Sequence, residues 1–82
     1  MKVTGVKCNA CGTTIYSRAV HDYHSCPCEK TTVDGGFEYL RFGYEPDVGS
    51  PQVVEIEIDA TKEDCYRDWN KRIDKLGTIP AT

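Results

Sequence analysis

The sequence predicts a small α+β protein, in which an antiparallel β-sheet is covered by one C-terminal α-helix. Its 82 residues suffice for one domain. Several short β-branched or alternating runs, separated by glycine and proline, indicate strands. Near the C-terminus, apolar residues recur at the spacing of a helix instead. A sheet of this size exposes an apolar face, and the amphipathic helix is the element available to cover it.

The first 42 residues contain most of the predicted strands. A strand over residues 2–7 leads into a turn at Cys8, and the β-branched and aromatic segment 13–17 leaves that turn as a second strand. Residues 31–33 precede a turn signal, Asp34-Gly35-Gly36. Residues 37–42 then alternate, which predicts a strand with Phe37, Tyr39 and Arg41 on one face.

The second half contributes one strand and the helix. Val54, Ile56 and Ile58 alternate with acidic residues, the pattern of a half-buried strand. We divide the single domain 1–82 into a β part over 1–42, a loop over 43–52, and a strand plus C-terminal helix over 53–82.

A helix is predicted to begin at Thr61, because Thr61 and Asp64 resemble a capping box. Gly77 is expected to end it as a left-handed cap. The apolar stripe of the helix, with Trp69 as its largest buried side chain, comprises Cys65, Trp69, Ile73 and Leu76. Because the stripe should cover the sheet, we interpret Cys65 as a small core residue.

Composition and charge exclude several classes of protein. The net charge of −3 and pI near 5.2 argue against a charge-driven nucleic-acid binder. No apolar run approaches the ~18 residues of a membrane span, so we expect a soluble protein with no membrane partner. No apolar segment of the kind found in secretory signals follows Met1. Eight aromatic residues argue against disorder.

Four cysteines form the strongest motif: C-x2-C, fourteen residues, then C-x-C. Two tight turns can each present two sulfur atoms to one tetrahedral ion, so Cys8, Cys11, Cys26 and Cys28 predict a structural zinc site and a zinc-ribbon-like sheet. Iron uses the same donor set. His24 is a rival ligand to Cys28. Bound zinc contributes about 10 kcal/mol or more to folding, which a chain this short needs.

Residues 7–41 resemble a family of small phage and prophage proteins of unknown function. The shared motifs are Cys8-Asn-Ala-Cys11-Gly12, His21-Asp22-Tyr23, Cys26-Pro-Cys28, Val33-Asp34-Gly35-Gly36 and Tyr39-Leu40-Arg41. Glu29 stands where the family usually has glycine, which implies a strained second turn, and Val20 stands where it often has arginine. The resemblance implies a phage-encoded zinc protein in the cytoplasm of a bacterial host, with no established activity.

Two further groups of residues bear on function. We interpret His21, Asp22 and His24 as side chains that support the metal ligands through hydrogen bonds, since an HD-type hydrolase would need more His and Asp residues. The predicted working surface comprises Asp34, Gly35, Gly36, Phe37, Tyr39 and Arg41. The glycine turn could also hold an anion with its backbone amides.

The function expected from these features is binding rather than catalysis, because a four-cysteine site is closed and no nucleophile–base pair is present. The leading hypothesis is a protein-interaction module that contacts a host protein, such as a host enzyme or a defence component, as a monomer or homodimer. A nucleic-acid-binding zinc ribbon and a nucleotide-sequestering protein are the alternatives.

Overall fold

Two antiparallel sheets and one helix make up the part of the chain that the computed structural model describes, residues 1–73 and 75–80. The α+β prediction is therefore confirmed, with two sheets where one was expected. The elements in chain order are β1 (Lys2–Lys7), β2 (Thr14–Ile15), β3 (His24–Ser25), β4 (Thr31–Asp34), β5 (Arg41–Tyr44), β6 (Gln52–Glu57), α1 (Lys62–Asn70) and β7 (Thr78–Ile79). Within these residues no helix is long and apolar enough to cross a bilayer.

The larger sheet has the strand order β6-β1-β2-β7, and its strands come from both ends of the chain. Strand β1 pairs with β6 along its whole length, from Lys2 opposite Glu57 to Lys7 opposite Gln52. The smaller sheet has the order β3-β4-β5. Its register places His24 opposite Val33 and Asp34 opposite Arg41.

The larger sheet lies between the smaller sheet and the helix. Val3 and Val6 are three positions apart on β1, so their side chains point to opposite faces. Val6 belongs to a buried cluster with Val33 of the smaller sheet, whereas Val3 packs in a second cluster with Cys65 of the helix. Cys65 is fully buried, as predicted for a core residue. Each face of β1 therefore supplies one of the two cores.

The connection between β4 and β5 differs from the predicted strand over residues 37–42. A turn follows Asp34, in which the Gly35 carbonyl accepts hydrogen bonds from the amides of Glu38 and Tyr39 at 3.2 and 3.4 Å. The strand starts only at Arg41 and continues to Tyr44. Phe37 consequently lies in the turn and packs half-buried against the core that contains Val3.

The helix begins as predicted and ends early. The Thr61 hydroxyl accepts from the Asp64 amide at 3.1 Å, and the Asp64 carboxylate accepts from the Thr61 amide at 3.0 Å. After Asn70 the chain turns at Arg72, whose φ is +53°. The predicted continuation to Gly77 is wrong, because the Asp68 carboxylate binds the amides of residues 75 and 76 and folds the chain back.

This early end changes the buried face of the helix. Ile73 lies beyond the helix and is 45% exposed, and Trp69 is half-buried rather than a core residue. The buried residues of α1 are Cys65 and the charged Asp68.

Candidate metal centre

Each cysteine pair lies in a tight turn between two paired strands. The first turn joins β1 to β2, and the second joins β3 to β4. Both turns close in the same way: the amide of the first cysteine donates to a carbonyl five residues later, Cys8 to Thr13 at 2.9 Å and Cys26 to Thr31 at 3.0 Å. The two turns therefore share the hydrogen bond that closes them, although the first has two residues between its cysteines and the second has one.

The turns bring four sulfur atoms to one point. One ligand atom from each of Cys8, Cys11, Cys26 and Cys28, which we call the cysteine centre, lies within 4.8 Å of all the others. The Cys28 sulfur is 3.6 Å from that of Cys8 and 3.3 Å from that of Cys26. Four sulfur ligands around zinc lie about 3.8 Å apart. All five cysteines are free thiols, so the donor set is compatible with a tetrahedral metal site.

The geometry decides between the two ligands that the sequence left open. Cys28 belongs to the cysteine centre. His24 lies on β3, and its Nε2 is 2.6 Å from the Thr78 hydroxyl on β7. The fourth ligand position is therefore filled by sulfur. A set of four sulfur atoms suits zinc or iron and leaves no position open on a four-coordinate ion.

Hydrogen bonds around the sulfur atoms favour thiolates at the first turn. The Ala10 amide donates to the Cys8 sulfur at 3.4 Å. Burial raises the pKa of Cys8, but the nearby Thr31 hydroxyl and the amides of Cys11 and Ala10 outweigh it and lower the pKa to about 6. The Thr13 hydroxyl is the largest cause of a lowered pKa at Cys11.

Cys28 behaves in the opposite way. Although the Lys30 amide lowers its pKa, the crowded thiols of the other three cysteines and burial raise it to about 12. Four thiolates this close repel one another, so full deprotonation needs a cation at their centre. The cysteine centre thus has the chemistry of a site that is completed by a metal ion.

A buried hydroxyl gives an independent test of this fit. Thr31 is fully buried, and its hydroxyl oxygen has no hydrogen-bond partner among the described residues. The hydroxyl lies beside the Cys8 sulfur. A neutral thiol is a weak acceptor, whereas a thiolate is a strong one. The residues around the cysteine centre therefore fit a metal-bound, deprotonated Cys8.

The second turn contains the strain that the sequence predicts. Glu29 has a φ of +62°, in the left-handed region that favours glycine. The equivalent residue of the first turn, directly after its second cysteine, is Gly12 with a φ of +73°. The same backbone conformation is thus adopted by glycine in one turn and by glutamate in the other.

The structure places His21, Asp22 and His24 differently from the expectation that they support the metal ligands. Asp22 is buried and binds Arg18: its Oδ2 accepts from Arg18 Nε at 2.7 Å, and its Oδ1 accepts from Nη2 at 3.2 Å. The ring of His21 is exposed and lies 6.5 Å from that of Trp69. Asp22 binds Arg18 rather than the cysteine turns, because a bidentate ion pair is stronger than a hydrogen bond from a neutral group.

Arg18 also binds the helix, a contact that sequence reasoning missed. Its Nη1 donates to Asp68 Oδ2 at 2.7 Å, and all three side chains are about 5% exposed or less. We call Arg18, Asp22 and Asp68 the arginine network. Burial raises the pKa of Asp68, but hydrogen bonds from Arg18 and from two backbone amides outweigh it and leave the pKa below its ordinary value. Arg18 and Asp68 are fifty residues apart in the chain, so no local sequence pattern predicts that Arg18 is buried.

The predicted working surface divides into an exposed and a buried part. Arg41 pairs with Asp34 across two strands, and its guanidinium carbon is 5.9 Å from the centre of the Tyr39 ring. Arg41 is the largest cause of a lowered pKa at Asp34. Extending the register of β3 by one residue brings Tyr23, 68% exposed, opposite Asp34. Tyr23 was missed as a surface residue, although its position beside a predicted strand could have suggested it.

Gly35 and Gly36 of this surface are needed for the local structure. The Gly35 amide donates to Asp34 at 2.8 Å and the Gly36 amide donates to Ser17 at 2.9 Å, so neither is available for the anion site that the turn suggested. A Cβ on Gly35 would lie 2.3 Å from the Tyr39 carbonyl oxygen, and one on Gly36 would lie 2.5 Å from the Ala19 backbone. Both positions require glycine for close packing.

Comparison with known proteins places the chain in an uncharacterised family. No curated protein and no solved structure matches it. A family model described as a domain of unknown function, DUF7695, matches residues 1–44, which contain the cysteine centre and the smaller sheet. The matched segment is slightly longer than residues 7–41, whose motifs resemble a small family of unknown function. It covers more than half of the chain. The chain therefore belongs to the DUF7695 family of domains of unknown function.

Proposed function

We propose that this protein is a structural zinc domain that acts by binding a protein partner, a host protein if the chain is phage-encoded. The metal stabilises the cysteine centre, and the binding surface comprises Tyr23, Asp34, Tyr39 and Arg41. The observation that supports this surface most directly is the way in which Arg41 is held.

Arg41 is exposed but is already held in place. Its side chain is 69% exposed, whereas the side chain of Asp34, its partner, is only 13% exposed and also accepts the Gly35 amide. Tyr39 is 49% exposed, and its ring lies under the guanidinium. Tyrosine and arginine are enriched among residues that dominate protein interfaces. A side chain held in place before binding loses less conformational entropy when a partner docks.

The experiment is affinity capture from host lysate with the zinc-loaded protein and two double variants. Tyr39→Ala with Arg41→Ala removes the exposed pair. Tyr66→Ala with Arg67→Ala is the matched control, because it removes a tyrosine and an ion-paired arginine of the helix; Arg67 binds Asp64 at 3.0 Å. Each captured protein is then purified and its affinity measured.

A partner bound by the wild-type protein and the helix variant, but weakened at least about tenfold by the Tyr39/Arg41 variant, is expected for an interface centred on two such residues. Equal affinity for all three proteins would contradict the proposed surface. Tight nucleic-acid binding with a steep dependence on salt would support the nucleic-acid alternative.

A further inference from the structure

We propose that Thr31 is a positioning residue of the metal centre, whose hydroxyl donates a hydrogen bond to the metal-bound thiolate of Cys8. This inference rests on the metal site of the proposed function. It assigns a role to a residue outside the cysteine motif, which carries no sequence signal of its own.

The first observation is the burial of the hydroxyl. Thr31 begins β4 directly after the second cysteine turn, and none of its surface is exposed. Its oxygen has no hydrogen-bond partner among the described residues. A buried polar group without a partner costs about 1–3 kcal/mol. A valine would fill the same space without this cost. We therefore expect the hydroxyl to have an acceptor when the metal is bound and Cys8 is a thiolate.

The second observation is the position of Thr31 between the two turns. Its backbone carbonyl accepts the amide of Cys26, while its side chain lies beside Cys8 of the other turn. Thr31 thus contacts both turns, and its hydroxyl faces the sulfur that the core shields from water: Cys8 is 1% exposed. Water cannot supply a donor to that sulfur. Once Cys28, whose sulfur lies 3.6 Å away, is deprotonated by the metal, the Thr31 hydroxyl is the side-chain donor that remains beside Cys8 among the described residues.

The cysteine centre is asymmetric as a result. Cys8 and Cys26 are buried, whereas Cys11 and Cys28 are half-exposed. A hydrogen bond from Thr31 stabilises the negative charge on a buried ligand and fixes the orientation of its sulfur. The loss of a group that orients a metal ligand in this way typically weakens metal affinity by about 10- to 100-fold.

The test compares Thr31→Val, which removes the hydroxyl, with Thr31→Ser, which keeps it. Zinc affinity is measured by competition with a chromophoric chelator, and the thiolate-to-cobalt charge-transfer band is recorded after substitution with Co²⁺. We expect about 10- to 100-fold weaker zinc binding by Thr31→Val and near-wild-type binding by Thr31→Ser. The cobalt band should move to longer wavelength in Thr31→Val alone, because the sulfur becomes richer in electrons.

Wild-type affinity and spectrum in Thr31→Val would overturn the inference while leaving the metal site intact. Equal losses in both variants, with no spectral shift, would also overturn it, since packing alone would explain them. Failure of the wild-type protein to bind either Zn²⁺ or Co²⁺ would overturn the proposed metal function itself.

Discussion

The cysteine centre and the arginine network both bury polar or charged groups, and they differ in what completes them. The cysteine centre gathers four sulfur atoms that repel one another when ionised, so it needs a cation from outside the chain. The arginine network pairs Arg18 with Asp22 and Asp68 and brings its own positive charge. The comparison shows that one small fold can combine a site that needs a metal ion with a salt-bridge network that the chain completes by itself. The site and the network should therefore fail under different treatments.

The largest effect is expected from removing the metal. A chelator, or Cys8→Ser, should unfold the chain, because a structural zinc site contributes about 10 kcal/mol or more to folding. Circular dichroism and zinc content measure the loss. Cys65→Ala is the control, since Cys65 is a buried cysteine outside the cysteine centre. A chain that keeps its native spectrum in excess chelator would show that the metal is dispensable for folding.

Removing Arg18 should have the next largest effect. Arg18→Leu leaves two buried carboxylates without this partner, which costs about 3–5 kcal/mol. Urea denaturation of the zinc-loaded protein gives the free energy of unfolding. Arg67→Leu removes an arginine that is 55% exposed and paired with Asp64, and it should cost less than about 1 kcal/mol. Similar costs for the two substitutions would mean that burial does not set the strength of the arginine network.

A pH titration should separate the site and the network further. Because the folded pKa of Asp68 lies below its unfolded value, its ionised form contributes stability that is fully present above about pH 4. This contribution is lost as the pH falls through the lower folded pKa. Cysteine ligands take up protons and release zinc at a higher pH than this, so acid should remove the metal while Asp68 is still ionised. We expect the difference in unfolding free energy between wild type and Asp68→Asn, both with excess zinc, to stay constant from neutrality down to the pH of zinc release. A difference that shrinks across this range would contradict the ionised role of Asp68.

The smallest effect concerns the two cysteine turns. Glu29→Gly should stabilise the zinc-loaded protein by about 1 kcal/mol, because it relieves a left-handed backbone conformation at φ +62°. Gly12→Ala, at the equivalent position with φ +73°, should destabilise it by a similar amount. Thermal denaturation of the two variants measures both changes. Destabilisation by Glu29→Gly would mean that the glutamate side chain makes a compensating contact.

The features predicted from the sequence are those whose residues lie close together in the chain. The cysteine turns, the capping box at Thr61 and the alternating strand β6 each depend on spacings of a few residues, and each is confirmed. The end of the helix could not be predicted, because it depends on the Asp68 carboxylate binding the amides of residues 75 and 76. The apolar residues keep helical spacing past Asn70, although the helix itself ends there.

In the candidate site, too, the features that depend on neighbouring residues were predictable and those that depend on distant residues were not. The four candidate metal ligands follow from a local motif, whereas Thr31 becomes relevant only when its burial beside a cysteine of the other turn is known. Asp22 was assigned to the cysteine centre because it is near Cys26 in sequence. In the fold its carboxylate belongs to Arg18, since burial of that guanidinium demands a partner of opposite charge.

The composition of the larger sheet has a consequence for how this family is divided into domains. The segment matched by the family model ends at residue 44, yet β1 and β2 lie between β6 and β7, which come from outside it. Cut at that boundary, the fragment would keep a two-stranded ribbon with both edges open, and such ribbons are prone to aggregate. The unit that can be transplanted or expressed alone is therefore larger than the segment that sequence similarity detects.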